Sequence, residues 1–124
     1  MEKNSQSSSL VILFDDERSF VPGFRDGAIV LRSVREAVSY FEELRESGQR
    51  VSELWLDFVL KGTESTDEAL SSFPGELLDR AIFHSSAWEA HGIIAGKLRH
   101  SGFSGALEQL WDAYPTTPRD DLFS

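Results

Sequence analysis

The feature that most constrains this chain is the alternation of short apolar runs with stretches of helical periodicity. "LVILF" at Leu10–Phe14 is an unbroken apolar run, the pattern of a strand buried on both faces. "AIVLR" at 28–32, the run at 54–56 within "ELWLDFVL", and "RAIFHSS" at 80–86 supply three further strands. Between the first two lies "VPGFRDG", where one proline and two glycines mark residues 20–27 as a loop.

The intervening stretches are helical. Ser33 followed by Glu36 is a capping box, Val34, Ala37, Val38, Phe41 and Leu44 form an apolar stripe, and Gly48 stops the helix. A short helix over 66–73 ends at Pro74 and Gly75. Ser86 and Glu89 form a second capping box, opening a helix that runs to about Ser101, with Lys97, Arg99 and His100 at its negative end and Gly102 as its stop. The spacing predicts a last helix over 106–114, and a fifth strand near Phe103 has only a faint signal. Strand alternating with helix implies parallel strands joined by right-handed crossovers, hence a three-layer α/β/α sandwich with four clear strands.

At 124 residues and 40% hydrophobic content the chain has the size of one domain. Residues 1–9, "MEKNSQSSS", read as a disordered tail, 10–114 as the single domain and 115–124, with "PTTPRDD", as a frayed C-terminal tail. No apolar run approaches the roughly 20 residues of a membrane-spanning helix, so no membrane role is expected. With no cysteine there is no disulfide framework, thiolate nucleophile or cysteine-held zinc, and a cytoplasmic location is the default expectation. A formal charge of −9 with no basic run argues against broad nucleic-acid binding, while a single nucleotide or RNA end remains compatible with a small cation-lined site.

In parallel α/β sheets ligands gather at the carboxyl ends of the strands. Asp15 and Asp16 stand just past the first strand, Asp57 just past the third, and His84, Ser85 and Ser86 just past the fourth. Packed together, three carboxylates would repel unless a cation neutralised them, and hard oxygen ligands suit Mg²⁺. Ser85 and Ser86 with backbone N–H groups could hold phosphate oxygens, Arg18 could add a bidentate clamp, and His84 could move a proton near neutral pH. Trp55, Trp88 and Trp111 read as core or interface anchors rather than cofactor contacts.

These residues also carry a resemblance. An acidic pair after strand one, an aspartate after strand three and a hydroxyl after strand four resemble the response-regulator receiver domain, a flavodoxin-like fold. Asp15-Asp16-Glu17-Arg18 with His84-Ser85 is closer still to the cyclic-phosphate-processing receiver domain, a receiver-like branch. The likeness spans residues 10–103. It implies Asp15, Asp16 and Asp57 as ligands of Mg²⁺, Asp57, His84, Ser85 and Arg18 as catalytic residues, and a metal-dependent phosphoesterase (a hydrolase with a signalling role), or a binder, acting on cyclic or terminal phosphates of a nucleotide or RNA end. That branch usually reads Leu-Asp-His-Asp-Leu at the third strand, where this chain has Leu56-Asp57-Phe58-Val59-Leu60, and the receiver's lysine after the fifth strand has no counterpart here. Two alternatives follow: a phospho-accepting receiver with Asp57 as acceptor, and a degenerate receiver serving as a non-catalytic interaction module, dimerising through its C-terminal helix and Trp111.

Overall fold

The computed structural model describes residues 10–57, 66–84, 90–116 and 119–124. Five parallel strands, β1 (Leu10–Phe14), β2 (Ile29–Leu31), β3 (Val51–Leu56), β4 (Arg80–Phe83) and β5 (Ala106–Gln109), form one sheet in the order β2-β1-β3-β4-β5. This is the flavodoxin-like order, and the expected α/β class holds. Four helices accompany it among the described residues: α1 (Val34–Ser47), α2 (Thr66–Leu70), α3 (Ala90–His100) and α4 (Leu110–Ala113).

The sheet has two differently covered faces. On one, Ile12, Phe14, Leu54, Leu56, Ala81 and Phe83 meet Phe41 and Leu44 of α1, Leu70 of α2, and Ile94 and Leu98 of α3. On the other, Leu13, Trp55 and Ile82 meet Leu110, Leu122 and Phe123, with Phe20, Phe24 and Tyr114 packed alongside. The second face is therefore covered by the β1–β2 connection and the C-terminal segment. Side chains alternate between the faces along each strand, which is why Trp55 and its neighbours Leu54 and Leu56 part company.

Helix α1 forms as its sequence requires. Ser33 is extended (φ −148°, ψ 162°) and its hydroxyl accepts the Glu36 N–H at 3.1 Å, while the Glu36 carboxylate accepts the Arg32 N–H at 2.6 Å. At the far end Gly48 takes φ 71° and donates its N–H to Leu44 O at 2.8 Å. Helix α3 ends as expected at Gly102, and the capping pair Ser86 and Glu89 lies outside the described residues, as does Trp88. No helix among the described residues is long and apolar enough to cross a membrane.

Two expectations are corrected. Residues 106–109 are the fifth strand, with only Leu110–Ala113 helical after it. "ALEQ" has ordinary helix-forming residues, but β4 offers an open ladder edge, and Arg80 Nε binds Glu108 Oε1 across it at 2.7 Å. Gly105 admits the chain to that edge, since a Cβ there would stand 2.3 Å from Asp79 O. The C-terminal segment is not a free tail either: Leu122 and Phe123 are buried, Val21 N–H donates to Leu122 O (3.1 Å) and Ser124 N–H to Ser19 O (2.9 Å). Burying two large apolar side chains against the bare second face outweighs the turn-forming composition before them.

Candidate functional site

β1 and β3 lie side by side, yet the chain leaves β1 towards β2 over one face and leaves β3 towards β4 over the other. Their carboxyl ends thus flank a topological switch point, where a crevice opens. The ladder continues one residue past each strand. Asp15 N–H donates to Leu31 O (3.1 Å), Asp57 N–H to Phe14 O (3.2 Å) and His84 N–H to Leu56 O (3.0 Å). Three residues far apart in sequence are held at one edge by backbone bonds.

Their side chains converge. One ligand atom from each of Asp15, Asp57 and His84 lies within 4.8 Å of the others. Asp15 is 1% exposed; its Oδ1 accepts the N–H groups of Glu17 (2.8 Å) and Arg18 (2.9 Å), and its Oδ2 stands 3.2 Å from His84 Nε2. Burial alone would raise the Asp15 pKa, but the His84 hydrogen bond, the two backbone donors and attraction to the imidazole outweigh it and hold the carboxyl below its ordinary value. An ionised carboxylate only accepts, so His84 donates from Nε2. His84 Nδ1 is buried with no hydrogen-bond partner.

The group can hold a metal ion. Two ligands about 2.1 Å from a common ion and at right angles to each other stand about 3.0 Å apart, close to the Asp15–His84 separation. Two carboxylates and one imidazole are a mixed oxygen and nitrogen set, suited to a divalent cation.

Of the other residues expected here, Asp16 is half-buried beside Asp15 and is not one of the three that converge. Arg18 supplies its backbone N–H to Asp15, and its exposed guanidinium lies 5.4 Å over the Phe123 ring. Ser85 and Ser86, and the altered residues Phe58 and Val59, lie outside the described residues.

Several supporting residues carry no strong signal in sequence. Arg32 donates to Asp15 O (3.1 Å), Arg18 O (2.6 Å) and Ser19 Oγ (2.6 Å), pinning the acidic loop to the end of β2. The buried Thr66 hydroxyl donates to Asp57 O at 2.7 Å. Phe123 packs its ring 5.0 Å from that of His84, and Trp55 lies 6.4 Å from it on the same face. Deeper on that face is an ion-pair network around Glu53, which is 7% exposed. Its carboxylate accepts from Arg25 Nε and Nη2 (2.7 and 2.8 Å), Arg80 Nη1 (3.0 Å) and Trp55 Nε1 (3.0 Å). A charge inside an apolar strand demands such partners, which is the one signal the sequence offered.

Comparison with family models, curated proteins and solved structures returned no match, so the functional reading rests on this chain's own residues.

Proposed function

We propose that this protein is a metal-dependent phosphoesterase acting on cyclic or terminal phosphates of a nucleotide or RNA end, as its resemblance to the cyclic-phosphate-processing receiver branch implies. The observation that carries the reading is the convergence of Asp15, Asp57 and His84 within 4.8 Å at the sheet's switch point. Asp15 and Asp57 provide the anionic ligands, with Asp16 beside them. His84 would join them as a third ligand only once Nε2 gives up the proton it donates to Asp15, so metal uptake through that nitrogen would release a proton. Mg²⁺ suits the carboxylates and a phosphate substrate, and the imidazole shifts the balance towards Mn²⁺. A bound ion would neutralise phosphate charge and lower the pKa of an attacking water. Ser85 and Arg18 are the chain's candidates for the remaining phosphate oxygens.

The interaction-module alternative asks for an apolar surface patch. Among the described residues the large hydrophobic side chain that is exposed is Ile93, at 46%.

Calorimetric titration of Mg²⁺ and Mn²⁺ into the wild type and Asp57→Asn tests the site. Binding should weaken at least ten-fold in the variant, with loss of 2′,3′-cyclic nucleotide hydrolysis followed by phosphorus NMR. Equal binding and turnover in both proteins refutes the proposal, and an acid-labile phosphoryl group on Asp57 after incubation with acetyl phosphate would point to the phospho-acceptor instead.

A further inference from the structure

β2 is an edge strand: among the described residues no strand pairs with its outer side. Leu31 O accepts the Asp15 N–H, so the backbone groups of Leu31 turn inward to β1 and those of Val30 turn outward, since successive residues of a strand alternate. Natural edges are blunted by charge, proline or a bulge. "IVL" has none of these, and Ile29 and Val30 are only half-buried.

Helix α1 does not close over this edge. It leaves a groove of about 590 Å³ along β2, walled by Ile29 and Leu31 on the sheet and by Arg35, Ser39, Tyr40 and Glu43 on the helix. Glu36, the groove's other acid, already accepts the Arg32 N–H. Arg35, Ser39 and Glu43 are all exposed and stand four residues apart, so they form one row along the helix. That row is a cation at one end, a small residue in the middle and an anion at the other. Neither Arg35 nor Glu43 has an ion-pair partner among the described residues.

A two-fold interface brings the same patch of both subunits together, so that each residue's contact is made twice. A row whose charge reverses about its midpoint meets that condition. Laid antiparallel against its own copy, Arg35 faces Glu43 of the partner subunit, and Ser39 faces Ser39 of the partner subunit. The edge strand obeys the same symmetry, because Val30 set opposite itself in an antiparallel pair exchanges both N–H···O bonds. An extended peptide of another protein could also add to β2, but it would make no use of a charge row that complements itself.

We propose that the β2–α1 edge is a homodimer interface, with a second copy of this chain seated antiparallel in the groove and two Arg35–Glu43 pairs flanking the axis. Ile29, Val30 and Tyr40 supply the apolar surface between those pairs. The interface lies on the outer edge of the sheet and asks nothing of the Asp15–Asp57–His84 group.

Sedimentation velocity over micromolar to near-millimolar concentrations reads the monomer–dimer equilibrium of the wild type, Arg35→Glu, Glu43→Arg, the double swap and Val30→Pro, with the urea midpoint of each as a check on folding. The wild type should dimerise reversibly. Each single reversal sets like charges opposite each other twice per dimer and should weaken association about ten-fold or more, and the double swap should return it to within about three-fold of wild type. Val30→Pro replaces an N–H that faces away from β1, so it should abolish the dimer while the monomer stays folded. Should Val30→Pro fail to fold, the charge variants decide alone. A wild type that stays monomeric throughout overturns the proposal and leaves the groove to a strand of another protein. A dimer that ignores either single reversal, or that persists in folded Val30→Pro, overturns it too and moves association to another face, such as α4 with Trp111. Weakening in the single variants without recovery in the double swap refutes the antiparallel pairing.

Discussion

Replacing Glu53 with methionine should be among the most destabilising single substitutions in this chain. The wild-type carboxylate is 7% exposed and accepts four hydrogen bonds, from Arg25 twice, Arg80 and Trp55. Methionine fits the volume but leaves two guanidiniums facing each other and the Trp55 N–H without an acceptor. Breaking a fully buried ion pair costs about 3–5 kcal/mol because a charge is left stranded. Here Arg25 and Arg80 keep 31% side-chain exposure, Arg80 retains Glu108, and water can recover part of the loss. The lower end, about 3 kcal/mol, is therefore expected. With a urea dependence of about 1.5 kcal/mol per molar, the midpoint should fall by about 2 M, read by tryptophan fluorescence because Trp55 reports on the same cluster. Adding Arg25→Met to Glu53→Met should recover part of the loss, since one stranded cation is then removed. A fall of less than about 0.5 M in the single variant would show that the network contributes little beyond its packing.

Acid should unfold the protein through the same groups. Asp15 and Glu53 both have pKa values held below their ordinary 3.8 and 4.5, so each contributes stability that is complete above those values and is lost as pH falls through the lower folded-state values. The urea midpoint should be flat from pH 7 to about 5, then drop below about 4, and Asp15→Asn should flatten that drop; an unchanged acid limb in the variant would contradict the role given to Asp15. Gly105→Ala should cost about 3 kcal/mol, because its Cβ would meet Asp79 O at 2.3 Å, a backbone atom that cannot swing away. A urea midpoint within about 0.3 M of wild type would show that the β4–β5 edge yields readily.

What was legible in the sequence divides along physical lines. Strands β1 to β4 and helix α1 declare themselves because their signals are local: apolar runs of strand length, a capping box, a glycine stop. Strand β5 is decided by a neighbour, since Ala106–Gln109 becomes a strand only by meeting the edge of β4, and no window of the chain contains both. The site was readable to the extent that a strand-end rule applies. It brought out Asp15, Asp57 and His84, which do converge, but it could not distinguish Asp15, whose side chain joins the group, from its neighbour Asp16. Phe123 was invisible because its partners, Phe20, Trp55 and His84, lie about 40 to 100 positions away.

The unusual cover of the second sheet face has a consequence for the site itself. Where a helix would shield that face independently of the site, here the shielding segments also build it: the β1–β2 connection begins with the Asp15 loop, and the C-terminal segment pairs with that connection at Phe20. Phe123 packs on His84 while Arg18 lies over the opposite partner of that contact, the Phe123 ring itself. Trp55 extends the chain of contacts, its ring beside His84 and its Nε1 on Glu53, so the ion-pair network and the Asp15–Asp57–His84 group grip the two ends of one aromatic cluster. Packed clusters of this kind transmit displacement because they hold few voids to absorb it. Loss of Phe123 should therefore weaken metal binding as well as stability, although Phe123 supplies no ligand. Arg32 opposes that effect by fixing the Asp15 and Arg18 carbonyls from the β2 side, and it meets the C-terminal segment only at Ser19, whose hydroxyl accepts from Arg32 and whose carbonyl accepts from Ser124 N–H. The ordering that results is specific: a change at Phe123 acts on the His84 side of the group, whereas a change at Arg32 acts on the Asp15 side.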